Sequence, residues 1–123
     1  MKLINTFATE LPWACEPVAP QPLRAPRLLH LNQGLLRELG LDGIGEADWL
    51  ACCGLGQPLP GMQPVAQVYA GHQFGGYSPR LGDGRALLLG EQQAPDGQRW
   101  DLHLKGAGKT PFSRFGDGRA VLR

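Results

Sequence analysis

The chain of 123 residues carries 12 Lys and Arg against 11 Asp and Glu, a net charge of +1. That excludes binding of duplex nucleic acid or an anionic membrane through a global field, and any anion site has to be local. The length fits one small domain with its own core and is short for two lobes with a cleft between them.

No apolar run approaches a membrane span, and Met1 to Glu10 lacks the basic start and apolar centre of a secretion signal. A cytoplasmic protein that binds no nucleic acid and no membrane is expected. Cys15, Cys52 and Cys53 are odd in number, two are adjacent, and no Cys-x-x-Cys spacing occurs. They read as reduced, half-buried thiols around Trp49 and Leu50 rather than a redox or metal centre.

In chain order, Leu11 to Pro26 hold Pro12, Pro17, Pro20, Pro22 and Pro26. The missing N–H donors and fixed φ angles exclude a regular helix or a central strand and predict an extended arm. Asn32 is placed to cap a short helix through Leu35, Leu36 and Leu39, closed by Gly40 at C′. A second helix is predicted over Glu46 to Cys53 with Gly54 as its stop, followed by a breaker-rich connection of Gly56, Pro58, Pro60, Gly61 and Pro64.

From Val65 the pattern changes to strands, which divides the chain into 1–64, an arm with short helices, and 65–123, a glycine-rich β-meander. Val65 to Tyr69 is the first strand, Arg85 to Gln92 with its Ala-Leu-Leu-Leu centre the second, and Pro95-Asp96-Gly97 a tight turn. The third strand, Arg99 to Lys105, alternates, with Trp100, Leu102 and Leu104 on one face and Asp101, His103 and Lys105 on the other. At least three antiparallel strands with short helices to one side make an α+β arrangement. The closing run Val121-Leu122-Arg123 has no cap, Gly or Pro and reads as an element still in progress.

The densest chemistry lies between Gly71 and Gly118, where Gly-Asp-Gly-Arg-Ala occurs at Gly82–Ala86 and again at Gly116–Ala120. Closely spaced glycines permit positive φ and leave N–H groups uncovered, as a phosphate cradle requires, and Arg85, Lys105, Lys109 and Arg119 add charge. Two common cradles are excluded. Gly108-Lys109-Thr110 lacks the P-loop glycine five residues earlier, where His103 stands, and neither Gly82-x-Gly84 nor Gly106-x-Gly108 is followed by the third glycine of a dinucleotide turn.

What remains is an order: strand, glycine loop, strand, tight turn, strand bearing a lysine, the order of a kinase-type N-terminal lobe. On spacing alone Lys105 is either a phosphate-neutralising lysine or a solvated strand end, and each Asp-Gly either a turn alone or part of an anion site. Gly71-His72-Gln73-Phe74-Gly75-Gly76-Tyr77 is too crowded with glycine for a linker and predicts a tight fold-back. There His72 either holds the loop by hydrogen bonds or does acid–base or metal chemistry. His30 and His103 supply no second zinc ligand at helical spacing.

Tyr69 to Gly75, Leu81 to Ala86, Asp101 to Gly108 and Thr110 to Ala120 together closely resemble the selenoprotein O family. Asn5-Thr6-Phe7, the proline-rich arm and the Leu-Gly-Leu helix end resemble that family's N-terminus. The resemblance implies a protein kinase-like fold that binds ATP in a flipped orientation and transfers AMP to Ser, Thr or Tyr hydroxyls of protein substrates, with magnesium or manganese. By motif, Gly82, Gly84, Arg85, Lys105, Asp117 and Gly118 would contact the nucleotide.

The family's catalytic base, metal ligands, further arginines and the acidic partner of Lys105 belong to a C-terminal part outside this chain. The resemblance therefore implies an N-terminal ATP-binding part without catalytic or metal residues of its own, inactive alone and open to self-association through an uncovered sheet. The alternative is a non-catalytic module that binds a nucleotide or a protein partner.

Overall fold

A computed structural model describes residue 1 and residues 3–120; the apolar run at 121–123 lies outside the described residues. Along the chain the elements are β1 (Leu3–Ile4), α1 (Thr6–Glu10), a 3-10 turn (Pro12–Ala14), β2 (Cys15–Pro17), α2 (Gln33–Glu38), α3 (Glu46–Leu55), β3 (Val65–Gln67), β4 (Gly71–Gln73), β5 (Gly76–Ser78), β6 (Ala86–Gln93) and β7 (Arg99–Lys105).

Strand β6 is the spine of a five-stranded antiparallel sheet. β7 runs along one side of it from Ala86↔Lys105 to Gln93↔Arg99. Along the other side lie β3, paired at Val65↔Leu88, and β1, paired at Leu3↔Gln92 and Ile4↔Glu91, with β2 outside β3. The expected meander is thus present as β3–β6–β7. The proline-rich arm contributes β2 at the sheet's edge, a place that tolerates Pro17 because an edge strand needs fewer N–H donors.

The continuous apolar centre of β6 follows from its being buried on both faces. Leu87 and Leu89 pack with Cys52 of α3, Met62 and Ala107, whereas Leu88 packs with Cys15, Val65 and, from α1, Phe7. Each such leucine contributes roughly 1.5–3 kcal/mol by leaving water. The pairing of β6 with β7 slips between Leu88 and Gly90. A Cβ on Gly90, at φ 138, would stand 2.9 Å from Asn5 Oδ1 and 3.2 Å from the Ile4 carbonyl, so the glycine lets β1 close onto the spine.

The two expected helices form, one with a moved boundary, and α1 was not expected. Asn32 Oδ1 accepts from Leu35 N at 3.0 Å and caps α2. Helix α3 continues to Leu55 and ends on Gly56 at φ 68, not on Gly54. Gly54 is buried inside the helix because a Cβ there would lie 2.7 Å from Pro26 Cβ; it is the point at which the arm crosses. The Asp96-Gly97 turn forms as expected, with Gln98 N donating to Asp96 Oδ1 at 2.9 Å.

All three thiols are free. Cys15 and Cys52 are buried and Cys53 is exposed; burial pushes the Cys15 thiol above its ordinary pKa. No helix among the described residues is long and apolar enough to cross a membrane.

Candidate functional site

The glycine segment folds into two pieces. Gly71 to Ser78 is the expected fold-back, a separate two-stranded hairpin of β4 and β5, turning at Phe74 and Gly75 with φ 52 and 76. The Phe74 side chain is fully exposed, and His72 stands opposite Tyr77, also exposed. The second piece, Leu81 to Arg85, is a loop that returns to β3 and its continuation: Leu81 N donates to Tyr69 O at 2.7 Å and Asp83 N to Gln67 O at 2.9 Å.

The two copies of the pentapeptide are used differently. In the first, Asp83 is only 8 % exposed and its carboxylate accepts from Gln67 N and from the Tyr69 hydroxyl, each at 3.0 Å, so it fastens the loop to β3. In the second, Asp117 is exposed and its Oδ1 accepts from Arg119 N at 2.9 Å, a local turn.

The arginines diverge as well. Arg85 is exposed, with one long bond of 3.5 Å from Nη1 to the Arg119 carbonyl. The Arg119 guanidinium is engaged by the carbonyls of Gln21 and Pro22, each at 2.9 Å, and of Gly106 at 3.4 Å.

Between the loop and the second pentapeptide runs a groove of about 440 Å³, lined by Gly82, Gly84 and Arg85 on one wall and Asp117, Gly118 and Arg119 on the other. Five of the six residues singled out by motif therefore meet in one place. Lys105 does not line this groove. It lies opposite Ala86 in the ladder, exposed on the face shared with Asp101 and His103, and makes no ion pair among the described residues. Its neighbour Gly106 donates to the Arg85 carbonyl at 2.7 Å, which sets the lysine beside the loop's exit.

A larger cavity of about 560 Å³ lies by the arm, lined by Ala8, Pro12, Val18, Pro58, Pro64 and Val65 among others. Its wall is mostly apolar, so it offers little to orient a charged ligand. The polar groove is the better candidate.

Arg85 and Arg114 bring positive charge to the groove's lining. A cation has less to hold it. Asp83 spends its oxygens on Gln67 and Tyr69, and the described residues contain no group of three or more His, Cys, Asp or Glu that could bind a metal ion. These residues do not compose a magnesium or manganese site by themselves.

Sequence reasoning missed the residues beneath the loop. Thr110 Oγ1 donates to the Asp83 carbonyl and Ser113 Oγ to the Gly84 carbonyl, each at 2.5 Å. Phe112 packs against Gly82, where a Cβ would stand 2.7 Å from the ring. The signals were Thr110-Pro111-Phe112-Ser113 as a short, hydroxyl-rich turn directly after the glycines and its place in a segment that carries the family resemblance, neither of which gave these residues a role.

A family described as protein adenylyltransferase SelO matches residues 5–123. A protein nucleotidyltransferase YdiU of Aeromonas salmonicida is 92% identical over the whole of this chain. Proteins of the same name from Mycolicibacterium smegmatis and Erwinia tasmaniensis are 56% identical over 98% of it and 52% identical over all of it. The chain spans about a quarter of the length of these relatives, 26%, 25% and 26% respectively. With nearly its whole length matched, the chain belongs to the SelO family of protein adenylyltransferases.

Proposed function

We propose that the groove between Gly82–Arg85 and Asp117–Gly118 holds ATP, and that a protein of the relatives' full length uses it to transfer AMP to Ser, Thr or Tyr hydroxyls of other proteins. The observation that carries the reading is the convergence of Gly82, Gly84, Arg85, Asp117 and Gly118 on one groove. In this reading the β3–β6–β7 meander is the sheet of a kinase-like N-terminal lobe, with the loop 81–85 in the place of its phosphate-covering loop.

Each residue has a physical task. Gly84 lets the backbone approach a phosphate closely, and the loop's N–H groups favour negative charge there. Arg85 offers a fork of donors to phosphate oxygens, and Lys105 a flexible point charge beside the loop's exit. Transfer of AMP requires the hydroxyl oxygen to bond to the α-phosphorus while the bond to the β-phosphate oxygen breaks. Pyrophosphate leaves with the bridging oxygen and the electron pair of the broken bond, and the hydroxyl proton passes to solvent. Charge from Arg85 and Lys105 on the outer phosphates stabilises that departing pyrophosphate. A nucleotide held with its α-phosphate outward toward the hydroxyl satisfies this geometry.

The test is calorimetric titration of the full-length protein with ATP, followed by an assay of labelled AMP incorporation into protein. The wild type should bind ATP and release pyrophosphate rather than ADP. Lys105→Ala and Arg85→Ala should each lower transfer by at least about 100-fold, the scale of one lost charge-stabilising donor. Transfer undiminished in both variants would refute the assignment, and release of ADP would replace it with phosphotransfer.

A further inference from the structure

The turn Thr110–Ser113 has no task in the nucleotide reading, yet three successive loop residues are each held by one of its members. Phe112 fills the space left by the missing side chain of Gly82, Thr110 Oγ1 donates to the Asp83 carbonyl, and Ser113 Oγ donates to the Gly84 carbonyl. The turn also aims those hydroxyls. Phe112 N donates to Thr110 Oγ1 at 3.1 Å and Thr110 N to Ser113 Oγ at 2.8 Å. A hydroxyl has one proton, and with an acceptor position of each oxygen taken by the turn's own amide, that proton goes to the loop carbonyl.

The consequence lies at the groove. The next carbonyl, that of Arg85, accepts from Gly106 N at 2.7 Å and Ala107 N at 3.3 Å. All three carbonyls from Asp83 to Arg85 are therefore bound to protein donors. A carbonyl oxygen that rotated toward a phosphate would repel it, because its partial charge has the same sign. On its other flank the loop is fixed by the bonds of Asp83 to Gln67 and Tyr69, so the hydroxyls act on a segment with little remaining freedom.

We infer that Thr110 and Ser113 are positioning residues for the nucleotide: they fix the peptide planes of Asp83 and Gly84 so that the loop presents N–H groups, not carbonyls, to the phosphates. This rests on the reading of the groove as an ATP site. The role is distinct from those of Arg85 and Lys105, which supply charge.

The experiment compares Thr110→Val, which keeps the shape and loses the hydroxyl, and Ser113→Ala with the hydroxyl-retaining Thr110→Ser and Ser113→Thr. All are made in the full-length protein, with ATP affinity measured by calorimetry, KM and kcat by AMP incorporation, and folding by melting temperature. Loss of either hydroxyl should weaken ATP binding about 10-fold, the equivalent of one net hydrogen bond. KM for ATP should rise with kcat little changed, and the hydroxyl-retaining variants should stay within about threefold of the wild type.

Should the hydroxyl-lacking variants melt early, Ser113→Cys decides, since it keeps the volume and donates weakly: affinity several-fold below wild type supports the inference. Unchanged ATP affinity in folded Thr110→Val and Ser113→Ala, or in Ser113→Cys, overturns it. A wild type that binds no ATP overturns the nucleotide reading itself, and is seen before any variant is compared.

Discussion

Arg119 reaches back across the chain to Gln21, donating from Nη1 to its carbonyl at 2.9 Å while Nη2 donates to the Pro22 carbonyl at the same distance. The forked guanidinium suits two adjacent carbonyls in a way that a lysine does not. It joins the second pentapeptide to the proline-rich arm, and Gln21 N completes the junction by donating to the Ala107 carbonyl at 2.7 Å.

Arg119→Ala should therefore lower unfolding free energy by about 1–3 kcal/mol, the range for hydrogen bonds from a charged donor. It should also speed tryptic cleavage after the exposed Arg24 and Arg27. Arg119→Lys should recover less than half of the loss. Urea denaturation and a timed digest measure both effects, and a digest as slow as wild type would show that the arm is held by other contacts.

Gly84 and Gly118 line the same groove for different reasons, and alanine separates them. At Gly118, with φ 75, a Cβ would overlap the Gly108 carbonyl and the Lys109 amide. Gly118→Ala should cost about 2–4 kcal/mol through strain and overlap. At Gly84 the nearest atoms to a Cβ are Phe112 O at 3.6 Å and Ser113 Cα at 3.7 Å, ordinary contacts. Gly84→Ala should thus change stability by no more than about 0.5 kcal/mol and yet weaken ATP binding, because in the proposed reading the phosphates come close to the loop backbone at this position. Equal ATP affinity in wild type and Gly84→Ala would mean that this glycine is not needed for a ligand.

The strands of the meander were legible because their information is local: alternation in β7, a doubly buried leucine run in β6, and an Asp-Gly turn between them. Helix α1 was not, since its amide at Phe7 is satisfied by Glu91 Oε1 at 3.1 Å, a residue of β6 far along the chain. The same limit applies to the site. Identical pentapeptides give no hint that Asp83 turns inward and Asp117 outward, because the difference is set by Gln67 and Tyr69 for one and by Arg119 for the other. Gly54 was read as a helix stop when its small size serves contact with Pro26. Sequence periodicity reports which face is buried, but not which distant backbone will lie against it.

The bond from Tyr69 to Asp83 gives the loop a dependence on alkaline pH. Tyr69 is 46 % exposed, and partial burial, the hydrogen bond to Asp83 and the charge of Asp83 raise its phenol above the ordinary value of 10.0. The folded state thus retains the proton more strongly than the unfolded chain. The contribution to stability is whole below about pH 10 and is lost as pH rises through the raised folded value.

Unfolding midpoints measured from about pH 8 to 11, around the ordinary phenol value, should fall more steeply at the alkaline end in the wild type than in Tyr69→Phe, which has no proton to lose. At neutral pH Tyr69→Phe should be less stable by about 1 kcal/mol, one net hydrogen bond, with Asp83 keeping its bond from Gln67 N. Absorbance titration of the phenolate gives a second readout, in which the late-ionising component should vanish in Tyr69→Phe. Parallel pH profiles for the two proteins would show that this bond does not hold the loop.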